Sequence, residues 1–184
     1  MLADLTIKKF LAETAGNKPA PGSGSVSALC GAIATALTEM VANLTIGMEQ
    51  YADVEGQMKT IAVEAATIRE RLIEYIDKDS EVHNQDAKRH AVLIQMTIAE
   101  EIGSVMETVI YVAHKGKRDA ITEASIAMMT ARTCVLGALL NVRINLSSIK
   151  DEDFVKRMTQ KADHLEAEAI RIENKLLSWV KTKL

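Results

Sequence analysis

The sequence predicts an all-α protein, a multihelical bundle in which two central helices of small residues are wrapped by longer amphipathic ones. Three observations carry that expectation. Only 3% of the residues are aromatic and two are proline, while Ala, Leu, Ile, Glu and Lys are abundant, a composition that favours helix over sheet. No run alternates apolar and polar side chains long enough to make a strand. Segments 25–46 and 124–139 are rich in small side chains, so two helix backbones can approach closely. At 184 residues the whole chain, 1–184, reads as one domain with a substantial core.

The elements follow in order. Residues 5–15 form a short amphipathic helix through Leu5, Ile7, Phe10 and Leu11, stopped at Gly16. Residues 17–24, NKPAPGSG, hold two prolines and two glycines and break both helix and strand. A central helix runs from Ser25 to Met48. Asp53 caps the next, whose Met58, Ile61, Ala65, Ile68 and Leu72 recur at helical spacing, with an end at Asn84 or beyond. Ile98 to Lys115 is the fourth, closed by basic residues and Gly116, and Thr122 to Ser147 the fifth. Asp151 to Lys183 is the last, capped by Asp151 with acids in its first turn.

Charge and composition exclude several functions. A net charge of −3 and no basic patch leave nothing for a nucleic-acid backbone to bind. Cys30 and Cys134 lie in apolar runs at no metal or redox spacing, as buried free thiols of a reducing cytosol do. The first sixteen residues lack the pattern of a signal peptide, so a cytoplasmic protein is expected. Ser25 to Met48 would be about 36 Å long as a helix, enough to cross a bilayer. Thr35, Thr38, Glu39, Asn43 and Thr45 interrupt it, and its apolar residues are mostly alanine, so a buried bundle helix is expected and no membrane partner.

Three motifs can carry chemistry. Pro19 to Ser25, PAPGSGS, is a glycine-rich turn leading into a helix start, where unpaired N–H groups and the macrodipole favour carboxylate or phosphate. It is neither a Walker A loop nor a dinucleotide fingerprint. The same residues also read as a tight turn in which Ser25 caps the helix. Asp79, His83, Asp86 and His90 would share one helical face, either as a carboxylate–histidine pair for acid–base work or as a solvated polar face; the latter suits Asp86 and His90. No third ligand accompanies His83 and His90, so no metal site is expected. In the third motif, Asn141 and Asn145 share a face while Arg143 sits among apolar residues. Arg143 could pair with an acid such as Glu123, hold a substrate carboxylate in fork geometry, or lie at a subunit contact.

Two blocks resemble a known family. PAPGSGSVSALCGAIATALTEMVANLTIG, residues 19–47, and GALLNVRINLSSIKDEDF, residues 137–154, are similar to signatures of the formiminotetrahydrofolate cyclodeaminase/methenyltetrahydrofolate cyclohydrolase family, in the same order. The resemblance implies an all-helical homodimeric enzyme that interconverts 5,10-methenyltetrahydrofolate with 5-formiminotetrahydrofolate, releasing ammonia, or with 10-formyltetrahydrofolate, consuming water. It implies no metal and no nicotinamide cofactor. Asp77 and Asp79 match the family's paired acids, with His83 where an aromatic is usual. Asp79 is thereby expected to stabilise the cationic carbon or move a proton, and His83 to assist. Pro21, Gly22, Ser23, Gly24 and Ser25 would hold an anionic or carbonyl part of folate, and Asn43 and Asn141 the pterin. Thr122–Glu123 stands where the family has serine-aspartate, placing Glu123 with Arg143 among the substrate contacts. Ser23 replaces a usual glycine, and the segment after Asn84 is shorter than is common. These departures leave two alternatives: a degenerate member that binds folate without efficient turnover, and a helical assembly module.

Overall fold

The computed structural model describes residues 1–18, 20–77 and 85–183. Among them are six α-helices and no strand: α1 Ile7–Thr14, α2 Ser23–Thr45, α3 Glu55–Asp77, α4 Gln85–Lys115, α5 Ile121–Leu146 and α6 Glu152–Val180, with 3₁₀ turns at Leu2–Asp4, Glu49–Tyr51 and Arg118–Ala120.

The pairing of α2 with α5 organises the rest. Opposed positions fix the two helices as antiparallel: Ser23 bonds Asn141, Ser27 meets Gly137, and Gly31 meets Cys134. Contact at those points depends on missing side chains. A Cβ on Gly137 would lie 2.2 Å from Ser27 Oγ, and one on Gly31 2.8 Å from Cys134 Sγ. Further along, Thr45 Oγ1 accepts the Lys117 N–H at 2.8 Å, which ties the end of α2 to the turn before α5. The polar residues of α2 are satisfied within their own helix: Ser27, Thr35, Thr38 and Thr45 hydroxyls donate to carbonyls one turn back at 2.7–2.9 Å. An alanine-rich helix can thus bury hydroxyls at no cost in unpaired groups. α2 and the segment Arg118–Leu146 are both long and apolar enough to cross a membrane by length and composition. The inner face of each is buried against α3, α4 or α6.

Around this pair, α3 packs on α2, α4 on α5, and α6 on α5 and α4. Met58, Leu72, Met96, Ile102, Met106, Met128 and Leu139 are among the large side chains wholly enclosed between them. Cys134 lies in the same core, where burial pushes its thiol up, while Cys30 is half-buried; both are free. The wrapping is one-sided. Ile33, Met40 and Leu44 on α2 and Ile126, Met129, Leu140 and Ile144 on α5 remain exposed, so the small-residue pair forms one outer layer of the bundle instead of its centre.

Most element boundaries differ from the expected ones, several by only one to three residues. α2 begins at Ser23, because Gly22 takes the cap position in an extended conformation; Ser25 lies inside the first turn and caps nothing. α1 begins at Ile7 under a Thr6 side-chain cap instead of at Leu5. α3 is described to Asp77, starting two residues after Asp53. The largest correction is α4, which starts at Gln85, thirteen residues before Ile98. Its first turns carry Lys88 and Arg89, which read as solvent-facing in the sequence. In the structure Lys88 donates to Ser148 Oγ at 2.8 Å, and Arg89 reaches Asp151 at 2.8 Å while lying 4.5 Å over the Phe154 ring. Asp151 itself caps α6 as expected, accepting the Phe154 N–H at 2.9 Å.

The glycines separate close approach from wasted flexibility. Gly137→Ala forces the α2–α5 contact apart and should cost about 1–3 kcal/mol, whereas Gly103→Ala on α4, where a Cβ meets nothing within 4 Å, should add about 0.5–1 kcal/mol of stability. Urea titration of the two variants checks both signs.

Candidate active site

One end of the bundle gathers the chemistry. The start of α2 carries no side-chain cap, and its first internal bond runs from Val26 N–H to the Gly22 carbonyl at 3.0 Å. Amides that open a helix in this way sit at the positive end of the macrodipole. Pro21, Gly24 and Ser25 are buried behind the turn, and Ser23 stands at the surface. The Ser23 hydroxyl donates to Asn141 Oδ1 at 2.7 Å, and the Asn141 carbonyl accepts from Asn145 Nδ2 at 2.9 Å. With Oδ1 thus occupied, the Asn141 amide turns its NH₂ inward, where Nδ2 is buried with no partner among the described residues.

Two residues along α2, the Ser25 hydroxyl donates to the Ile76 carbonyl at 2.8 Å, drawing the last turn of α3 to the same end. Asp77 follows directly. Its Oδ1 accepts the Leu2 N–H, and its Oδ2 is buried without a partner among the described residues. A buried donor and a buried acceptor, both unpaired, therefore lie at the end of the bundle where an uncapped helix begins. Each such group costs about 1–3 kcal/mol if left so, so the arrangement is suited to a ligand that supplies a carbonyl or anion to one and an N–H or cation to the other.

The remaining expected residues fall into three groups. Asp79 and His83 lie outside the described residues. Asp86 and His90 are exposed on the first turns of α4, the solvated face expected for them. Asn43, Glu123 and Arg143 are not at this site. Counting 20 residues along α2 and 18 along α5 at 1.5 Å each, Asn43 lies about 30 Å from Ser23, and Glu123 about 27 Å from Asn141. Asn43 is exposed there, and Glu123 occupies the first turn of α5, where a carboxylate complements the helix dipole. Antiparallel pairing is the reason: residues near one end of α2 meet residues near the opposite end of α5. Arg143 is occupied by α6, with Nη2 2.8 Å from Asp163 and 2.5 Å from Glu166, and these two acids raise the guanidinium pKa. Its partner is neither Glu123 nor a free site for a substrate carboxylate.

Two contributors went unread in the sequence. Lys88 brings a cation to the C-terminal end of α5 through Ser148, and the Leu2 N–H engages Asp77. A lysine in a polar run carries no sign of its partner. A backbone donor carries no sequence signal at all.

A helical bundle with an uncapped helix start, an inward amide and a half-satisfied carboxylate at one end defines a class, that of small-molecule sites for ligands with both carbonyl or anionic and N–H or cationic edges. The comparisons with known proteins narrow the class. The model of the Formiminotransferase-cyclodeaminase family matches residues 6–88 and 82–164, and the chain belongs to that family. It is 28% identical to the methenyltetrahydrofolate cyclohydrolase of Methylorubrum extorquens over the full length of both chains. It is 25% identical to the formimidoyltransferase-cyclodeaminase of Mus musculus, covering 91% of this chain and 35% of that protein. The crystal structure of formiminotetrahydrofolate cyclodeaminase from Thermotoga maritima superposes with a TM-score of 0.87 at 28% identity, covering 98% of this chain and 99% of that one.

Because Arg143 serves α6, Arg143→Met should lower stability by about 0.5–1 kcal/mol, as a partly exposed ion-pair cluster does. In the Arg143→Met background, Glu166→Gln should cost nothing further in the same urea titration.

Proposed function

We propose that this chain is a folate one-carbon enzyme that acts on the bridge carbon of 5,10-methenyltetrahydrofolate, exchanging it with 5-formiminotetrahydrofolate and ammonia or with 10-formyltetrahydrofolate and water. One observation carries the reading. The two sequence blocks that resemble the family are far apart in the chain, yet the Ser23–Asn141 hydrogen bond joins them at the end of the bundle where Asp77 keeps a free oxygen. Family membership and the match to both a cyclohydrolase and a cyclodeaminase support the same conclusion.

The chemistry asks for these groups. The methenyl bridge is an amidinium-like cation, so an ionised acid near it stabilises the charge that develops there, an effect worth about 3–4 kcal/mol for one preorganised group. In the deaminating direction N10 attacks the formimino carbon, N10 loses its proton, and ammonia leaves after protonation. In the hydrolytic direction a base activates water against the same carbon. We assign Asp79 to the cation or the proton, Asp77 beside it in the chain to the same cluster, and His83 to assistance. The amides opening α2 and the inward Asn141 NH₂ hold carbonyl or anionic groups of the folate. No metal or nicotinamide takes part in this scheme, and our reading includes a cytoplasmic enzyme with no membrane or nucleic-acid partner.

A homodimer belongs to the same proposal. The exposed apolar positions Ile33, Met40 and Leu44 and Ile126, Met129, Leu140 and Ile144 recur at helical spacing on one side of the α2–α5 pair. The charges nearest that face are engaged elsewhere, Glu39 with Arg69 at 3.1 Å and Arg132 with Glu173 at 3.0 Å. An uncharged face two helices wide is the surface a second copy would cover.

Supplying formiminotetrahydrofolate and assaying free ammonia, alongside loss of methenyl absorbance, tests the activity. Asp79→Asn should lower kcat by about 10²–10⁴; unchanged turnover would remove that assignment. Leu140→Glu should shift the protein to monomer in sedimentation, and a wild-type chain that already sediments as a monomer would contradict the dimer.

A further inference from the structure

Resting on the folate reading of this end of the bundle, we propose that the N-terminal 3₁₀ turn is part of the catalytic apparatus, its Leu2 backbone N–H holding the Asp77 carboxylate in the orientation that presents Oδ2 to the substrate. The Leu2 N–H reaches across from the N-terminal turn to donate to Asp77 Oδ1. The other oxygen is then turned into a buried position with no partner among the described residues. If Asp77 merely capped the turn, the second oxygen could lie in water. Its burial without a donor is the arrangement of a group waiting for one.

The turn is built to hold that position. Leu5 N–H returns to the Leu2 carbonyl at 3.2 Å, and Asp4 N–H to the Met1 carbonyl at 3.3 Å. Leu2 and Leu5 pack on a small apolar cluster of Phe10, Ala28 and Ile76, which joins α1, α2 and α3. The same Ile76 carries the carbonyl that accepts from Ser25. The last turn of α3 is therefore clamped twice, by a hydroxyl from the start of α2 and by a backbone amide from the N-terminal turn. The first clamp positions the backbone beneath Asp77, and the second its carboxylate. Leu2 acts only through Asp77, as a positioning residue.

Leu2→Pro removes this donor together with the leucine side chain, while proline suits the first position of a helical turn, where the turn itself needs no N–H. Residue 2 lies outside the six helices, so unchanged far-ultraviolet circular dichroism verifies that the variant folds. The expected result is a fall in kcat of about 10- to 100-fold with KM little altered, the signature of a misplaced catalytic group. Leu2→Ala loses the same side-chain packing but keeps the donor, and should restore most of kcat even if Tm drops. In an Asp77→Asn background, Leu2→Pro should have no further effect on kcat, because the two act as one unit. Equal kcat values for Leu2→Pro and Leu2→Ala, or the same fold-loss from Leu2→Pro with and without Asp77, would overturn the proposal while leaving the folate reading intact. A wild-type protein that turns over neither folate substrate would overturn the folate reading and the role of the turn together.

Discussion

The Ser23–Asn141 hydrogen bond exists because two helix backbones come close enough to place a serine hydroxyl against an amide 118 positions away. That closeness is set by absent atoms. At Gly137 and Gly31 the facing helix occupies the space a side chain would need, with Ser27 and Cys134 filling it. Everything at the candidate site inherits its geometry from this contact. The direction of the Asn141 amide follows from the serine that takes its oxygen. The position of Asp77 follows from Ser25, two residues along the same helix, bonding the last turn of α3.

The site is formed by groups that folding leaves incomplete. Elsewhere the chain is economical with polar atoms: the threonines of α2 bond their own helix, and Asp151 serves both the start of α6 and Arg89. Of the buried polar atoms left unpaired among the described residues, Asn141 Nδ2 and Asp77 Oδ2 fall near one helix start, while Gln95 Oε1 and Glu123 Oε2 lie elsewhere. A stable bundle can carry a few kcal/mol of unpaired polar groups at one place if a ligand later completes them. A methenyl cation flanked by ring nitrogens and carbonyls is complementary to such a set. The macrodipole of α2 and the carboxylate of α3 present opposite electrostatic signs to opposite edges of one ligand.

Much of this was legible in the sequence, and the failures are physically instructive. Composition and spacing gave the helical class, and the glycine-rich turn and the Asn141 motif were identified before their contact could be known. The start of a separate helix at Gln85 does not show in the sequence, because Lys88, Arg89 and His90 dilute the pattern, although Val92 and Met96 already stand at core spacing with Ala99 and Ile102. Arg143 was recognised as needing an acid, but the acids lie on α6, and no spacing rule reaches across a loop to Asp163 and Glu166. Asn43 and Glu123 were grouped with Ser23 by family resemblance. Within this chain, antiparallel pairing sends them to the far end of the two helices.

That separation bears on how the molecule is used. A pair of stiff helices carries the incomplete polar groups at one end, a second polar set about 27–30 Å away, and between them an outer face whose nearest charges, Glu39 and Arg132, are paired with Arg69 and Glu173. In an isolated chain such a face gains nothing from facing water, since each exposed leucine or isoleucine forgoes about 1.5–3 kcal/mol available on full burial. The interior shows why it was not simply buried by another helix. α3, α4 and α6 already fill the opposite side, and the glycine contacts hold α2 and α5 close together. An exposed apolar face of this extent is suited to contact with another surface. The geometry of the candidate site thus traces to the absence of side chains at Gly31 and Gly137.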